Sequence, residues 1–262
     1  SDGTKSIYSF GRKNQGDSVK NKKIIMNTFL DILYPRHCPV CHNIIGFRGQ
    51  KICDSCREKL QPVTGPRCYK CSRPLSDPGQ EYCRDCSSRR HFFEQGIGIF
   101  PYSTLLQESL YKLKYEKRQE YGTFYGELGA LWAKEQISRW KIDIIVPVPL
   151  HRKRLENRGY NQAELIAEAL GKRLALPVDK KLLKRKVNTR PQKNLGPAER
   201  KANLNNAFIS KGRLEGGNVL LVDDIYTTGA TVDEAARILK KAGADRVYFL
   251  VIAIGSGARV VS

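Results

Sequence analysis

Residues Val219–Thr231 read VLLVDDIYTTGAT, a strand-to-helix crossover from which the rest of the chain can be placed. Val219–Val222 is a short, wholly apolar run, the composition of a strand covered on both faces. Asp223 and Asp224 follow at the carboxyl end of that strand. From there Ile225, Tyr226, Thr227, Thr228, Gly229, Ala230 and Thr231 lead into a helical pattern over Thr231–Ala242. A strand that turns into a helix through small and hydroxylated residues exposes backbone N–H groups at the helix N-terminus. Such N–H groups form a nest for a phosphate dianion. The hydroxyls of Thr227, Thr228 and Thr231 add donors. The two carboxylates repel a phosphate; they suit ribose hydroxyls, or a Mg²⁺ ion held against a pyrophosphate.

On either side of this stretch, strand patterns recur at Gly96–Tyr102, at Ile142–Pro149 (IDIIVPVP) and at Arg246–Ile254. Between them, Leu105–Tyr115, Phe124–Ser138 and Asn161–Leu174 carry apolar residues at helical spacing. The polar, basic stretch Lys193–Asn205, with Gly196 and Pro197 at its centre, reads as a loop. Strand–helix alternation of this kind predicts an α/β domain, a mainly parallel sheet with flanking helices. Its ligand sits at the carboxyl ends of the strands. The Ile142–Pro149 strand runs into LHRKRLENRGYNQ, so Arg152, Lys153, Arg154 and Arg158 crowd such an end. Cations there can neutralise two phosphates, with arginine offering bidentate pairing; the alternative is a solvated basic loop.

The formal net charge is +20, and it is uneven. His151–Lys201 holds 15 Lys or Arg against 5 Asp or Glu, half of the excess in a fifth of the length. Such a surface favours polyanions, either nucleic acid or a multiply phosphorylated ligand, in a salt-dependent way. A solubilising surface is the plain alternative. Aromatics lie among basic residues at Tyr111, Tyr115, Tyr121, Phe124 and Tyr125. Such side chains stack nucleobases where exposed, although their helical spacing equally suits a core stripe. No apolar run approaches the roughly 18–20 residues that span a bilayer, and no secretory signal pattern is found. A cytoplasmic protein is expected.

The eight cysteines form four CxxC pairs, Cys38/Cys41, Cys53/Cys56, Cys68/Cys71 and Cys83/Cys86, each pair starting fifteen residues after the last. CxxC sets two thiolates on one tight turn, and two turns close a tetrahedral shell around zinc. Two structural zinc sites are expected, with a disulfide framework as the alternative. Pairing in chain order is the simpler arrangement, and a crossed one stays open. His37 and His42 are read as bystanders. With zinc bound to eight thiolates the charge falls by 4 to about +16, so the basic conclusion stands. Residues 1–25 are polar and read as a flexible tail or an extension, because the sole methionine, Met26, opens the first apolar segment. The expected division is 1–25 tail, 26–90 double zinc ribbon and 91–262 α/β domain.

The stretch Val219–Thr231 resembles the ribose-phosphate binding motif of type I phosphoribosyltransferases: an apolar strand, two acids, then T-T-G-x-T. In that fold the basic segment after Ile142–Pro149 is the place of the pyrophosphate-binding loop. The blocks CPVC, VPVPLHRKRLENRGYNQAELIA, RPQKNLGPAERKANLNNAF and VLLVDDIYTTGAT, in this order, are together similar to the ComF family of competence proteins over Met26–Ile254. The resemblance implies an N-terminal zinc ribbon, a phosphoribosyltransferase-like domain and a role in handling single-stranded DNA during natural transformation. Its site pattern falls on Asp223, Asp224, Thr227, Thr228, Gly229 and Thr231 for the cradle and on Arg152, Arg154, Arg158, Asn161 and Gln162 for the basic segment. Arg190, Gln192, Arg200 and Asn203 match its flexible loop.

Expected ligands and partners are therefore phosphoribosyl diphosphate with Mg²⁺, single-stranded DNA, and a DNA-translocating ATPase that would bring the chain to the inner face of the membrane. Arg36, Arg48, Arg57, Arg67 and Arg73 make the ribbons a candidate for nucleic-acid contact; bracing the α/β domain is the alternative. Purine-salvage relatives of the motif place an aspartate where Thr227 stands, and a threonine hydroxyl is no comparable base near neutral pH. Binding is thus expected more firmly than transfer, with a phosphoribosyltransferase of unknown nucleotide or nucleic-acid acceptor as the competing reading.

Overall fold

The structure is a computed structural model, described here over residues 35–45, 50–186 and 207–256. The expectations for residues 1–34, for the Lys193–Asn205 loop and for Arg48, Arg190, Gln192, Arg200 and Asn203 lie outside these residues. The chain forms two compact units, 1–61 and 62–262. The second ribbon, expected within a separate 26–90 module, thus shares a unit with the sheet.

In the first unit, Cys38–Cys41 forms a knuckle in which Cys38 N–H donates to the Asn43 carbonyl and His42 N–H to the Cys38 carbonyl. Cys53 then caps helix α1 (Asp54–Lys59). The same geometry repeats thirty positions later in the second unit. Cys68 N–H donates to the Arg73 carbonyl, Ser72 N–H to the Cys68 carbonyl, and Cys83 caps helix α2 (Arg84–Ser88). The turn residues correspond too, His42 at φ 66° and Ser72 at φ 67°.

The rest of the second unit alternates as the sequence implies. Strand β1 (Gly96–Pro101) leads to helices α3 (Thr104–Tyr115) and α4 (Glu120–Arg139). Strand β2 (Ile144–Pro147) is followed by α5 (Arg152–Arg158) and α6 (Gln162–Leu174). Strands β3 (Leu183–Arg185) and β4 (Phe208–Ser210) pair antiparallel. Then come β5 (Asn218–Tyr226), α7 (Ala230–Lys241) and β6 (Arg246–Ile254). The main sheet has the order β1-β6-β5-β2 and is parallel throughout. At its centre, Val219–Val222 of β5 and Val247–Ile254 of β6 are buried and predominantly apolar, as helices on both faces require.

Two expectations change. The basic segment after β2 is not a loop but the short helix α5, because RKRLENR is rich in helix formers and ends at Gly159, a left-handed cap at φ 82°. Strand β5 does not stop at Val222 but continues through both acids to Tyr226, held by β6 in register up to Tyr226↔Ile254. The helix pair α4/α6 sits unusually close: a β-carbon on Gly126 would stand 2.4 Å from the Ile166 carbonyl oxygen. The aromatic series divides. Tyr121, Phe124 and Tyr125 are buried, whereas Tyr111 is 56% and Tyr115 63% exposed. Among the described residues, no helix is long and apolar enough to cross a membrane.

Candidate functional site

The sheet register opens the site. β2 pairs with β5 only as far as Pro147↔Val222, so one edge of β5 is uncovered from Asp223 onward. Pro147 and Pro149 lack the N–H groups that would extend the ladder. Asn161 ties this end together: it caps α6 by accepting from Ala163 N–H (3.1 Å) and donates to the Val148 carbonyl (3.0 Å).

Asp224 is only 4% exposed. Its Oδ1 accepts from Gln162 Nε2 at 2.9 Å, and the Lys114 ammonium forms an ion pair with Oδ2. Burial alone would raise its pKa, but the Lys114 charge and the bonds from Lys114, Asp223 and Gln162 prevail and hold it below the usual carboxylate range. Asp223 is partly exposed, with Oδ1 accepting the Asp224 N–H at 2.8 Å. Burial, then the neighbouring Asp224 charge, pushes its carboxyl well above that range. Lys114 is invisible to sequence reading, because nothing in a helical lysine's spacing reveals a buried partner 110 positions away.

Beyond Tyr226 the chain leaves the strand and enters α7 through Thr227, Thr228 and Gly229. The two threonines are exposed. Gly229 is the N-cap of α7 at φ 73°, where a β-carbon would lie 2.2 Å from Tyr226 Oη and 2.5 Å from Cζ. Gly229→Ala is therefore strained twice over, by its left-handed backbone and by the Tyr226 ring. The expected loss is about 2–4 kcal/mol of stability, read by urea denaturation. The Tyr226 side chain packs into the core. Its ring is buried and stacked on Phe249, with centroids 4.9 Å apart, and Phe93 meets it edge-on at 6.4 Å. Ile225 and Ala230 are partly exposed, as is Thr231.

The basic residues separate into different roles. Arg152, Lys153 and Arg154 are exposed on α5, with Arg152 paired to Glu156 at 2.8 Å. Arg158 turns inward, donating to Gln162 Oε1 and lying 5.1 Å over the Tyr115 ring. It is thus linked through Gln162 to Asp224. A further cation, Arg185 on β3, belongs to this neighbourhood although no motif in the sequence marks it. Burial lowers its pKa, Arg154 adds repulsion and Asp223 opposes both. Its buried Nε has no hydrogen-bond partner among the described residues.

The metal ligands assemble in chain order, which removes the crossed alternative. Cys38, Cys41, Cys53 and Cys56 form one set, and Cys68, Cys71, Cys83 and Cys86 the other, with sulfurs within 4.8 Å of one another. All eight are free thiols. The Cys41–Cys53 and Cys71–Cys83 sulfur separations are 3.6 and 3.7 Å, far beyond the ~2.05 Å of a disulfide. They match the ~3.8 Å edge of a tetrahedron with zinc–sulfur bonds of about 2.3 Å. His37 and His42 belong to neither set.

Comparison with known proteins agrees with both halves. The double zinc ribbon domain family matches residues 29–87 and the phosphoribosyl transferase domain family residues 130–260. Competence protein ComFC of Bacillus subtilis is 33% identical over 201 residues, covering 74% of this chain and 80% of that protein. The chain belongs to the ComF family. Competence protein F of Haemophilus influenzae is 27% identical over 80% of this chain and 93% of its own length. DNA utilization protein YhgH of Salmonella typhimurium is 29% identical over 81% and 94%. In this ComF-family chain the two four-thiol sets are structural zinc sites. Each shell is complete with protein thiolates, which leaves no open position for catalysis.

Proposed function

We propose that this ComF-family chain binds single-stranded DNA during natural transformation and holds a phosphoribosyl-diphosphate-type ligand at Asp223–Thr231. The observation that supports the ligand reading best is the end of β5. There two acids, two exposed threonines and the N-cap glycine of α7 lie past the last residue of β2, with Arg158 and Arg185 close by. N–H groups and hydroxyls of the Thr227–Thr231 turn would take the 5-phosphate. Asp223 would face ribose hydroxyls or a Mg²⁺ ion, because Asp224 is already committed to Lys114 and Gln162. Arg152, Lys153, Arg154 and Arg158 would meet the pyrophosphate, as would Arg190 and Arg200 from outside the described residues. Calorimetry with phosphoribosyl diphosphate and Mg²⁺ tests this. Asp223→Asn with Asp224→Asn should abolish ligand binding while DNA affinity stays within twofold. Equal loss of both would sink the separation of the two functions.

The DNA reading is supported by the charge distribution and by the exposed pair Tyr111 and Tyr115, whose ring centroids are 4.8 Å apart. Tyr115 lies beneath Arg158, and Lys114 between the two tyrosines reaches Asp224. Glu108 and Glu116 border the groove beside Tyr111, so attraction to phosphate comes from the Arg158 side. Base stacking contributes about 1–3 kcal/mol per base. Tyr111→Ala with Tyr115→Ala should therefore weaken binding of an oligothymidylate about 5–150-fold, and leave binding of an abasic oligonucleotide of equal length unchanged. An equal loss for both oligonucleotides would assign the effect to charge or folding. Affinity should also fall with salt, with a slope of about −0.7 per phosphate contacted. The competence naming of the relatives fits a role in transformation, and a cytoplasmic place beside a DNA-translocating ATPase is proposed with it. The second reading, transfer of the phosphoribosyl group to a nucleotide or nucleic-acid acceptor, rests on the same ligand site and is tested by pyrophosphate release with single-stranded DNA as acceptor.

A further inference from the structure

Two arginines join the second zinc ribbon to the Thr227–Gly229 turn. Arg73 Nη2 donates to the Thr227 carbonyl at 2.5 Å, and Arg89 Nη2 to the Thr228 carbonyl at 2.9 Å. Both arms spring from the metal knuckles. Arg73 is two residues after Cys71, and its own carbonyl accepts the Cys68 N–H at 2.8 Å. Arg89 is gripped by both carboxylate oxygens of Asp85, at 2.8 and 2.9 Å, and Asp85 precedes the ligand Cys86. The same surfaces are tied once more where Asp233, in the first turn of α7, accepts the Phe92 N–H at 2.7 Å.

The consequence follows from peptide geometry. No cis peptide bond occurs among the described residues, and in a trans peptide C=O and N–H point in opposite directions. Fixing the Thr227 and Thr228 carbonyls on the ribbon side therefore turns the N–H groups of Thr228 and Gly229 to the other side. In an exposed loop these peptide planes would otherwise be free to rotate. Charge-assisted bonds from guanidinium groups are about twice as strong as neutral ones, and their charge polarises both peptides toward an anion. Thirty positions earlier, in the first ribbon, the residues corresponding to Arg73 and Arg89 are Asn43 and Lys59.

We propose that the second zinc ribbon is the floor of the phosphate nest, with Arg73 and Arg89 as positioning residues, so that anion affinity at residues 227–229 depends on zinc in that ribbon. This rests on phosphate being the ligand of the Thr227–Thr231 turn. Calorimetry with ribose 5-phosphate on the full chain tests it, alongside zinc content, melting midpoint and oligothymidylate affinity. The Arg73→Ala, Arg89→Ala double variant should bind the probe about tenfold or more weakly, while keeping two zinc ions and DNA affinity within twofold. Arg73→Lys with Arg89→Lys should recover part of the loss, since an ammonium can still donate once to each carbonyl. Wild-type probe affinity in the alanine variant would overturn the inference alone. No probe binding by the wild type would remove it together with the phosphate reading. Should the alanine variant not fold, amide hydrogen exchange of the wild type decides. Chelating the zinc should speed exchange at residues 227–229, and unchanged exchange there would overturn the proposal.

Discussion

Cys71→Ser should release one zinc ion and lower the melting midpoint of the 62–262 unit by roughly 6–12 °C, the equivalent of about 3 kcal/mol for a unit of this size. Structural zinc in ribbons contributes apparent free energies on the order of 10 kcal/mol or more, because the apo ligands do not hold the knuckle. Part of that free energy is retained here, since the sheet folds around its own apolar strands. The remainder is lost because the second ribbon is built into the same core. Cys68, Cys71 and Cys83 are buried in one cluster with Phe93, Tyr226 and Phe249. Phe93 packs edge-on to Phe249 at 4.9 Å and stacks on His91 at 4.6 Å. Loosening the ribbon uncovers these rings, each of which contributes about 1.5–3 kcal/mol by its burial. A colorimetric zinc assay with thermal melting by circular dichroism reads both quantities. Loss of one zinc with an unchanged midpoint would show that the ribbon does not support the sheet.

The second large effect is expected at Asp224. Asp224→Asn keeps an acceptor for Gln162 but leaves the Lys114 ammonium without its counter-charge. Removing one partner of a fully buried pair costs about 3–5 kcal/mol. The Lys114 side chain is 19% exposed and Asp224 6%, so a loss somewhat below that range, about 2–3 kcal/mol, is expected after allowing for solvent. Urea denaturation provides the value, and a double-mutant cycle assigns it. Lys114→Met should be costly by itself, because it leaves the Asp224 carboxylate buried, and less costly combined with Asp224→Asn. Strictly additive losses would show that the two side chains do not depend on each other. The sign with pH follows from the lowered Asp224 pKa. A carboxyl ionised more readily in the folded state adds stability above its unfolded pKa and loses it as pH falls. Asp223, raised by burial and by Asp224, acts in the opposite sense.

Much of this architecture is legible in the residues. The β5–α7 crossover is readable because apolar strand, acid pair and T-T-G-x-T are local features, each with its own backbone requirement. The cysteine pairs announce metal because fifteen-residue spacing repeats a single local turn. Where the structure departs from expectation, the reasons are equally physical. Arg152–Arg158 reads as a loop because its charges hide good helix formers. β5 reads too short because acids are poor strand residues, and only pairing with β6 keeps Asp223 and Asp224 in the strand. Tyr111 and Tyr115 cannot be told from Tyr121 and Tyr125 by spacing, since exposure depends on how whole helices pack.

At Val219–Thr231 the residues alone settle the local chemistry: a buried strand, two carboxylates, and a glycine-broken turn of hydroxyls and N–H groups into a helix. How that stretch is held is a matter of tertiary packing. Lys114 neutralises Asp224 from a distant helix, and β2 stops short of pairing with β5 beside the acids. The arginines of the second zinc ribbon grip the turn from behind, through Thr227 and Thr228. These contacts join residues about 110 to 154 positions apart. No periodicity or spacing encodes them, because they arise from the packing of whole elements rather than from the conformational preference of any one segment.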